Sequence, residues 1–174
     1  MSEPDKEYTS EVEEELREIR GALFDDTIAV LRPNDAICLP ATATVHEAVQ
    51  KMLARRQAGV LVVDGRGKLT GIFTERDVLN RVVAKTLDVR HTPLSAVMTP
   101  NPEALGISQR VAYAVHCMSV AGYRTVPVVD AAGYPVGVVT VSDVMRWLAN
   151  LFPDAVLNLA PGDTIKHPGT LDAG

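Results

Sequence analysis

Two short segments of the chain place a threonine and an aspartate at the same spacing. Residues 71–77 read GIFTERD and residues 137–143 read GVVTVSD, so each has a glycine, two apolar residues, a threonine and, three positions later, an aspartate. Each segment opens a predicted helix, whose first N–H groups lack partners within the helix and favour anions. A hydroxyl beside those groups suits a phosphate, and a carboxylate there can accept both hydroxyls of a ribose. The spacing therefore indicates two candidate nucleotide sites.

The same residues also have a purely structural interpretation. A threonine at the N-cap of a helix and an acid three residues later bond to the unpaired N–H groups and complement the helix dipole. Taken singly, TERD or TVSD is more typical of a helix cap than of a ligand site. Both interpretations remain open for Thr74 and Asp77, and for Thr140 and Asp143.

The two segments belong to a longer internal repeat. Residues 45–79 and 111–145, compared without a gap, share 13 identical pairs among 35 positions, where average residue usage gives roughly two. The similarity extends backwards, so we predict two copies of one unit, at residues 28–86 and 94–152.

Each copy has the predicted element order β-α-β-β-α. In the first copy, the apolar runs and their spacing predict strands at 36–39, 59–63 and 69–73, and helices at 44–56 and from 74 towards 85. In the second copy, the strands are predicted at 103–107, 125–129 and 135–139, and the helices at 110–121 and 140–152. One unit is too small to bury its own apolar faces, so we expect an α/β fold in which the copies pack as a pair.

Extensions flank the repeats on both sides. The first 20 residues carry eight acids and three bases, whereas the rest of the chain holds 14 of each sign, so the acidity belongs to the extension 1–27. An amphipathic helix is predicted there over residues 10–23, with Ser10 as its cap. Its apolar stripe consists of Val12, Leu16, Ile19 and Leu23. Prolines and glycines predict an irregular tail over residues 153–174.

The composition argues against several classes of function. Aromatic residues make up only 5% of the chain and no basic stripe is present, so we expect no nucleic-acid partner. No apolar run reaches the length of a membrane span, and no signal peptide precedes the repeats, so we expect no membrane partner and a cytoplasmic location. Cys38 and Cys117 are interpreted as small buried side chains in a reducing compartment.

No constellation of residues indicates catalysis. The four histidines, at positions 46, 91, 116 and 167, lack metal-ligand spacing, and no motif combines a nucleophile, a base and an orienting group. Asp64 and Asp130 each follow a strand, where aspartate is typical of a turn. We therefore expect that the chain is not an enzyme and uses no catalytic cofactor or metal.

The β-α-β-β-α repeat, the strand ending VPVVD at 126–130 and the two GhhTxxD segments strongly resemble a tandem pair of CBS domains, named after cystathionine β-synthase. The resemblance covers about residues 28–152. It implies a pseudo-twofold module with two clefts between the sheets, which commonly pairs with a second module, so a homodimer is expected. It also implies a regulatory ligand that contains adenosine: AMP, ADP, ATP, NAD or S-adenosylmethionine.

The resemblance assigns roles to particular residues. Asp77 and Asp143 would hold the ribose, and Thr74 and Thr140 the phosphate. Base-contacting positions would be Ile72, Val138, Gly59, Val60, Thr125 and Val126. The phosphate end differs between the copies. Arg76 at the first site, against Ser142 at the second, predicts that the first site takes more phosphate, although Arg124 is expected near the second site and could compensate there. Leu61 stands where the second copy has the family's proline, Pro127, which makes the first pocket the less typical one.

Three hypotheses about function remain. The first is a sensor that binds an adenosine compound in its clefts and acts in trans on an unknown downstream protein, with the acidic helix as a candidate contact. The second is a dimer-forming structural module in which the threonines and aspartates only cap helices. The third is a small enzyme. Both copies retain threonine and aspartate, so both clefts are candidates for ligand binding.

Overall fold

Both predicted repeats are present in the structure, a computed structural model that describes residues 3–151, with side chains described for residues 13, 14 and 16–151. The elements are α1 (Glu3–Asp25), a 3₁₀ turn (Ile28–Leu31), β1 (Cys38–Pro40), α2 (Val45–Arg55), β2 (Gly59–Val63), β3 (Leu69–Thr74), α3 (Glu75–Asp77, continued by a π-helical segment, Val78–Val83), α4 (Leu94–Val97), β4 (Thr99–Pro100), β5 (Leu105–Gly106), α5 (Val111–Val120), β6 (Thr125–Val129), β7 (Pro135–Thr140) and α6 (Val141–Leu151). The order β-α-β-β-α occurs twice, as the sequence predicts. The predicted tail, residues 153–174, lies outside the described residues.

The first helix of each repeat forms because its apolar residues recur at helical spacing. In α2, Val45, Ala48 and Met52 are buried on one face. Thr44 begins the helix with a capping box, in which its hydroxyl accepts from the Glu47 N–H at 3.2 Å and its own N–H donates to the Glu47 carboxylate at 2.8 Å. The helix therefore begins within one residue of its predicted start.

Two small sheets carry the strands. In the first sheet the order is β1-β2-β3-β4, with β1 parallel to β2 and the other pairs antiparallel. In the second sheet the order is β5-β6-β7, with β5 parallel to β6. Asp64 and Asp130 each accept two backbone N–H groups in the hairpin turn that follows the middle strand, which is the turn role that the sequence predicts.

The first helical turn of each repeat packs into the core of the other repeat. Ile28 and Leu31, in the 3₁₀ turn, are buried with Val111 and Val126 of the second repeat. In the same way, α4 places Leu94 and Val97 in the core of the first repeat, which surrounds Phe73. The predicted repeat units are therefore interlocked, and neither core is complete without residues from the other unit.

The two sheets contact one another through a third apolar cluster. Leu61 on β2, Ile72 on β3 and Val138 on β7 are all buried in it. Leu61 and Ile72 belong to the first repeat and Val138 to the second, so this cluster lies at the boundary between the repeats.

The N-terminal helix is longer than the sequence predicts. It begins at Glu3, so Ser10 lies inside the helix and its predicted role as the cap is wrong. The C-terminal part of α1 packs on the second repeat through Ala22 and Leu23. After the helix, the Trp147 indole N–H donates to the Asp26 carboxylate at 3.0 Å, which ties this junction to α6. Among the helices of residues 3–151, none combines the length and the apolar character needed to cross a bilayer.

Candidate functional site

A cavity of about 530 Å³ lies at the boundary between the two repeats and is bordered by the helix start at Thr74 and Asp77. We call this cavity, with that helix start, site one. The residues that line it come from the ends of β3 and α3, from the segment before β5 and from the segment that leads into β6. They are Ala58, Ile72, Thr74, Glu75, Arg76, Asp77, Leu79, Asn80, Arg81, Thr99, Pro102, Glu103, Gly122, Tyr123, Arg124, Thr125 and Pro127.

Thr74 and Asp77 bond to one another at the start of α3. Both the backbone N–H and the hydroxyl of Thr74 donate to Asp77 Oδ2, each at 2.9 Å. On the other oxygen, Oδ1 lies 3.3 Å from Arg81 Nε, one helical turn further on. Asp77 is only 8% exposed. The three donors fix the position of its carboxylate at the wall of the cavity.

Three arginines line site one. Arg81 pairs with Asp77 and also donates through Nη1 to the carbonyl oxygens of Val97 and Met98, at 3.0 and 2.6 Å. Within residues 3–151, the structure gives no ion pair or side-chain hydrogen bond for Arg76 or Arg124. Two guanidinium groups are therefore available at the cavity to bind an anionic group such as a phosphate.

The equivalent helix start at Thr140 and Asp143, which we call site two, has the same internal bonds. The N–H and the hydroxyl of Thr140 donate to Asp143 Oδ2 at 2.8 and 2.7 Å. Arg146 Nη1 donates to Oδ1 at 3.0 Å. A further donor comes from the first repeat, because Asn34 Nδ2 lies 3.1 Å from Asp143 Oδ2. Asp143 is 5% exposed.

The surroundings of Asp143 lower its pKa. Burial by itself raises the pKa of this carboxyl, but the hydrogen bonds from Thr140, Arg146 and Asn34 outweigh the burial and hold the pKa below its ordinary value of 3.8. Asp143 therefore stays ionised at neutral pH despite being almost wholly enclosed.

Six of the thirteen predicted site residues come together in site one: Ile72, Thr74, Arg76, Asp77, Arg124 and Thr125. Arg124 was expected near the second site, but it lines site one instead, together with Thr125, Thr74 and Asp77. The physical reason is the packing of the two sheets, which brings the beginning of β6 opposite the helix start of the first repeat.

Four of the six predicted base contacts do not line the cavity. Val60 and Val126 are buried in the two cores, at 1% and 0% exposure, because alternate residues of a strand face opposite sides of the sheet. Gly59 pairs with Thr74 in the sheet and is likewise absent from the cavity wall. The remaining predicted residues, Thr140, Asp143, Ser142 and Val138, lie at or next to site two, on α6 and β7.

The glycine of each segment lets a piece of the other repeat approach the strand. A side chain at Gly71 would place its Cβ 2.5 Å from the sulfur of Met98, just before β4. At Gly137 the Cβ would lie 2.8 Å from the Asn34 carbonyl oxygen. At each glycine, the interlocked segment of the other repeat therefore approaches the strand closely.

Sequence reasoning missed Arg81 and Asn34. The first could have been found, because Arg81 follows Asp77 by four residues, the spacing of an ion pair along a helix. The second could not, because Asn34 and Asp143 are 109 residues apart and no local pattern connects them.

A family model for the CBS domain matches this chain twice, at residues 29–84 and 94–150, which confirms the resemblance. A similar protein is the CBS domain-containing protein CBSCBSPB1 of Arabidopsis thaliana, which is 36% identical over 104 residues. That match covers 60% of this chain and 19% of the relative, so the chain spans about a fifth of the relative's length.

Solved structures share the fold. The CBS domain protein PAE2072 from Pyrobaculum aerophilum, complexed with AMP, is 25% identical with a TM-score of 0.65, over 76% of this chain and 95% of that chain. The CBS domain pair of protein MJ0100, in complex with 5′-methylthioadenosine and S-adenosyl-L-methionine, is 24% identical with a TM-score of 0.65, over 72% of this chain and 97% of that chain. Each range matched by the family model contains one β-α-β-β-α unit of the structure, and the chain therefore belongs to the CBS domain family, as a tandem pair of these domains.

Proposed function

We propose that this chain is a regulatory module that binds an adenosine-containing ligand in site one. The observation that carries the proposal is the cavity between the repeats, in which the Asp77 carboxylate and the guanidinium groups of Arg76 and Arg124 border one space. Its volume, about 530 Å³, lies within the range of roughly 300–1,000 Å³ that is typical of small-molecule sites.

The chemistry of the lining matches the parts of a nucleotide. Asp77 would accept a ribose hydroxyl, and the Thr74 hydroxyl would turn from Asp77 to donate to phosphate together with the first N–H groups of α3. Arg76 and Arg124 would neutralise the phosphate charge. Ile72 and Pro127 offer apolar surface for a flat base. The complex of PAE2072 with AMP, a protein 25% identical to this chain, supports an adenine nucleotide as the ligand class.

A regulatory role, in which the ligand changes the shape or assembly of the module and a downstream protein responds, fits this site better than catalysis does. Among the residues that line site one there is no histidine, cysteine or serine, and the Thr74 hydroxyl donates a hydrogen bond to Asp77 as part of the helix cap. Cys38 and Cys117 are both free thiols, which accords with a reducing compartment, although Cys38 is exposed and only Cys117 is buried as the sequence predicts.

A second function is favoured by a different observation. Large apolar side chains are exposed on the outer helices of both repeats, at Leu53, Leu79, Tyr113, Val120 and Met145. Such a surface suits a contact with another protein molecule. In this alternative the chain is a structural module that forms a homodimer through these helices, and the threonine–aspartate pairs serve only as caps.

A ligand panel separates the two functions. Thermal melting of the full chain is measured with AMP, ATP, NAD and S-adenosylmethionine, and a ligand at a hundred times its Kd adds about 2.7 kcal/mol of stability. We expect at least one of these compounds to raise the Tm of the wild type, and Asp77→Ala to abolish that rise. If no compound raises the Tm, the chain is the structural module instead.

The oligomeric state is measured in parallel by analytical ultracentrifugation, with and without the compound that raises the Tm. Val120→Lys places a charge on the exposed side of α5, where the side chain is 72% exposed and does not line site one. The variant should weaken a dimer while its own melting temperature stays close to that of the wild type, because the substituted side chain is not part of the core.

A further inference from the structure

Sites one and two differ in the residue that the other repeat places beside the strand. Thr99 pairs with Ile72 on β3, whereas Asn34 forms a bridge with Val138 on β7. Ile72 and Val138 are equivalent in the repeat, since they are 66 positions apart. Thr99 and Asn34 therefore occupy matching places, one at each site.

Only Asn34 reaches the aspartate of its site. The Asn34 amide donates to Asp143 Oδ2 at 3.1 Å, and together with two bonds from Thr140 and one from Arg146 it completes a set of four donors. Three of these four donors meet at Oδ2, although each carboxylate oxygen has only about two lone pairs, so this oxygen has no position left for a ligand. At Asp77, Oδ2 accepts only the two bonds from Thr74, and Thr99 lies with Asp77 in the wall of the open cavity.

The backbone holds Asn34 in place. Its N–H donates to the Val138 carbonyl and its carbonyl accepts from the Val138 N–H, both at 2.9 Å. The next residue is fixed as well, because Gln57 Nε2 donates to the Asp35 carbonyl at 2.6 Å. The Asn34 amide is thus presented by a paired segment, and ordering it costs little entropy when it bonds to Asp143.

We propose that Asn34 closes site two to nucleosides by taking the place of a ribose hydroxyl on Asp143, so that the chain binds one adenosine ligand, at site one. The inference rests on the proposed function of site one. It adds the number of ligands that the chain binds and names Asn34 as the residue that determines this number. It also revises the expectation that both clefts are candidates for ligand binding. To enter site two, a ribose would have to displace a hydrogen bond to a buried charge, which weakens binding there by about 10- to 100-fold.

A reciprocal exchange of the two matching residues tests the inference. Isothermal titration calorimetry with AMP, ATP and S-adenosylmethionine as probes measures the number of molecules bound per chain. We expect one bound molecule per chain in the wild type and two in Asn34→Thr. We expect Thr99→Asn to weaken the affinity of site one at least tenfold, because the new amide would compete with the ligand for Asp77. In the background of Asn34→Thr, Asp143→Asn should remove the second ligand and Asp77→Asn the first.

The outcomes distinguish the two proposals. Two equal sites in the wild type, or one site in Asn34→Thr, would overturn the role of Asn34 and leave the function of site one standing. Failure of every variant to bind any of the probes would overturn both. Asn34→Ala, which removes the amide alone, serves as a second variant if melting shows that Asn34→Thr does not fold, and it too is expected to bind two ligands.

Discussion

The two repeats present the same threonine and aspartate at the same point of the fold, yet their neighbours differ. At site one, Asp77 borders an open cavity and Thr99 stands beside it. At site two, Asp143 bonds to Asn34. The threonine, the aspartate and their capping bonds are nearly identical, so the motif alone does not determine whether a site is open. The residue that the other repeat contributes makes the difference.

The largest difference between the repeats should appear in their cores. Phe73 is fully buried in the first core, and its equivalent in the second core, Val139, is fully buried too. Phe73→Ala should lower the free energy of unfolding by about 3–5 kcal/mol, and Val139→Ala by about 2 kcal/mol, because the smaller side chain leaves a smaller cavity. Urea unfolding of both variants measures the difference. Equal losses would show that the two cores relax to different extents around the missing atoms.

The next effect concerns the hydroxyls of the two sites. Thr74→Ala should weaken the binding of AMP about 10-fold or more, because a hydrogen bond to a charged phosphate is lost. Thr140→Ala should leave AMP affinity unchanged if site two is closed. Calorimetric titration of AMP into each variant provides the test, and Thr140→Ala is the matched control because it removes the same cap from the other helix. Equal losses in affinity would mean that both sites bind AMP.

A smaller effect distinguishes the phosphate ends. Arg76→Ala should weaken ATP binding more than AMP binding, by about fivefold, because an exposed guanidinium gives up to about 1 kcal/mol in an interaction with charge. The matching change in the second repeat, Ser142→Ala, should alter neither affinity. Titrations at low and at high salt check the assignment, since an electrostatic contribution declines as salt rises. An equal loss for both nucleotides would remove the phosphate role of Arg76.

A further effect, measured as a change with pH, is the stability that Asp143 contributes. Its pKa in the folded chain is lowered below the ordinary 3.8, so the stability it contributes is present above pH 3.8 and is lost as the pH falls through the folded value. The difference in unfolding free energy between the wild type and Asp143→Asn should therefore be about 1–3 kcal/mol at pH 7 and should shrink towards pH 3. Urea unfolding at both pH values measures it. A difference that stays constant with pH would contradict the bonding of Asp143.

Local features of the fold could be predicted from the sequence because neighbouring residues determine them. The spacing of Val45, Ala48 and Met52 predicts α2, and the run GVLVV predicts β2 at its observed bounds, Gly59–Val63. The start of α1 was predicted incorrectly because the acids before Ser10 show no apolar periodicity, although the helix includes them.

Features that depend on the packing of the two repeats could not be predicted. The repeat identities gave the two helix starts, but not the fact that Arg124 and Thr125 line the cavity beside Thr74. The alternation of strand residues should have excluded Val60 and Val126 as side-chain contacts, since both belong to apolar runs that face a core. The bond from Asn34 to Asp143 joins residues in different repeats, and its existence depends on how the sheets pack.

The exchange of first turns between the repeats has a consequence for the chain as a whole. A cut in the connection between Lys85 and Leu94 would break the covalent link between the first repeat and Leu94 and Val97. Both side chains would nevertheless stay buried in the core of the first repeat, which they complete. The two fragments should remain joined as a tight complex, and neither should fold by itself. Unfolding is then a single event shared by both halves, so a nucleotide that stabilises one of them protects the other from proteases as well.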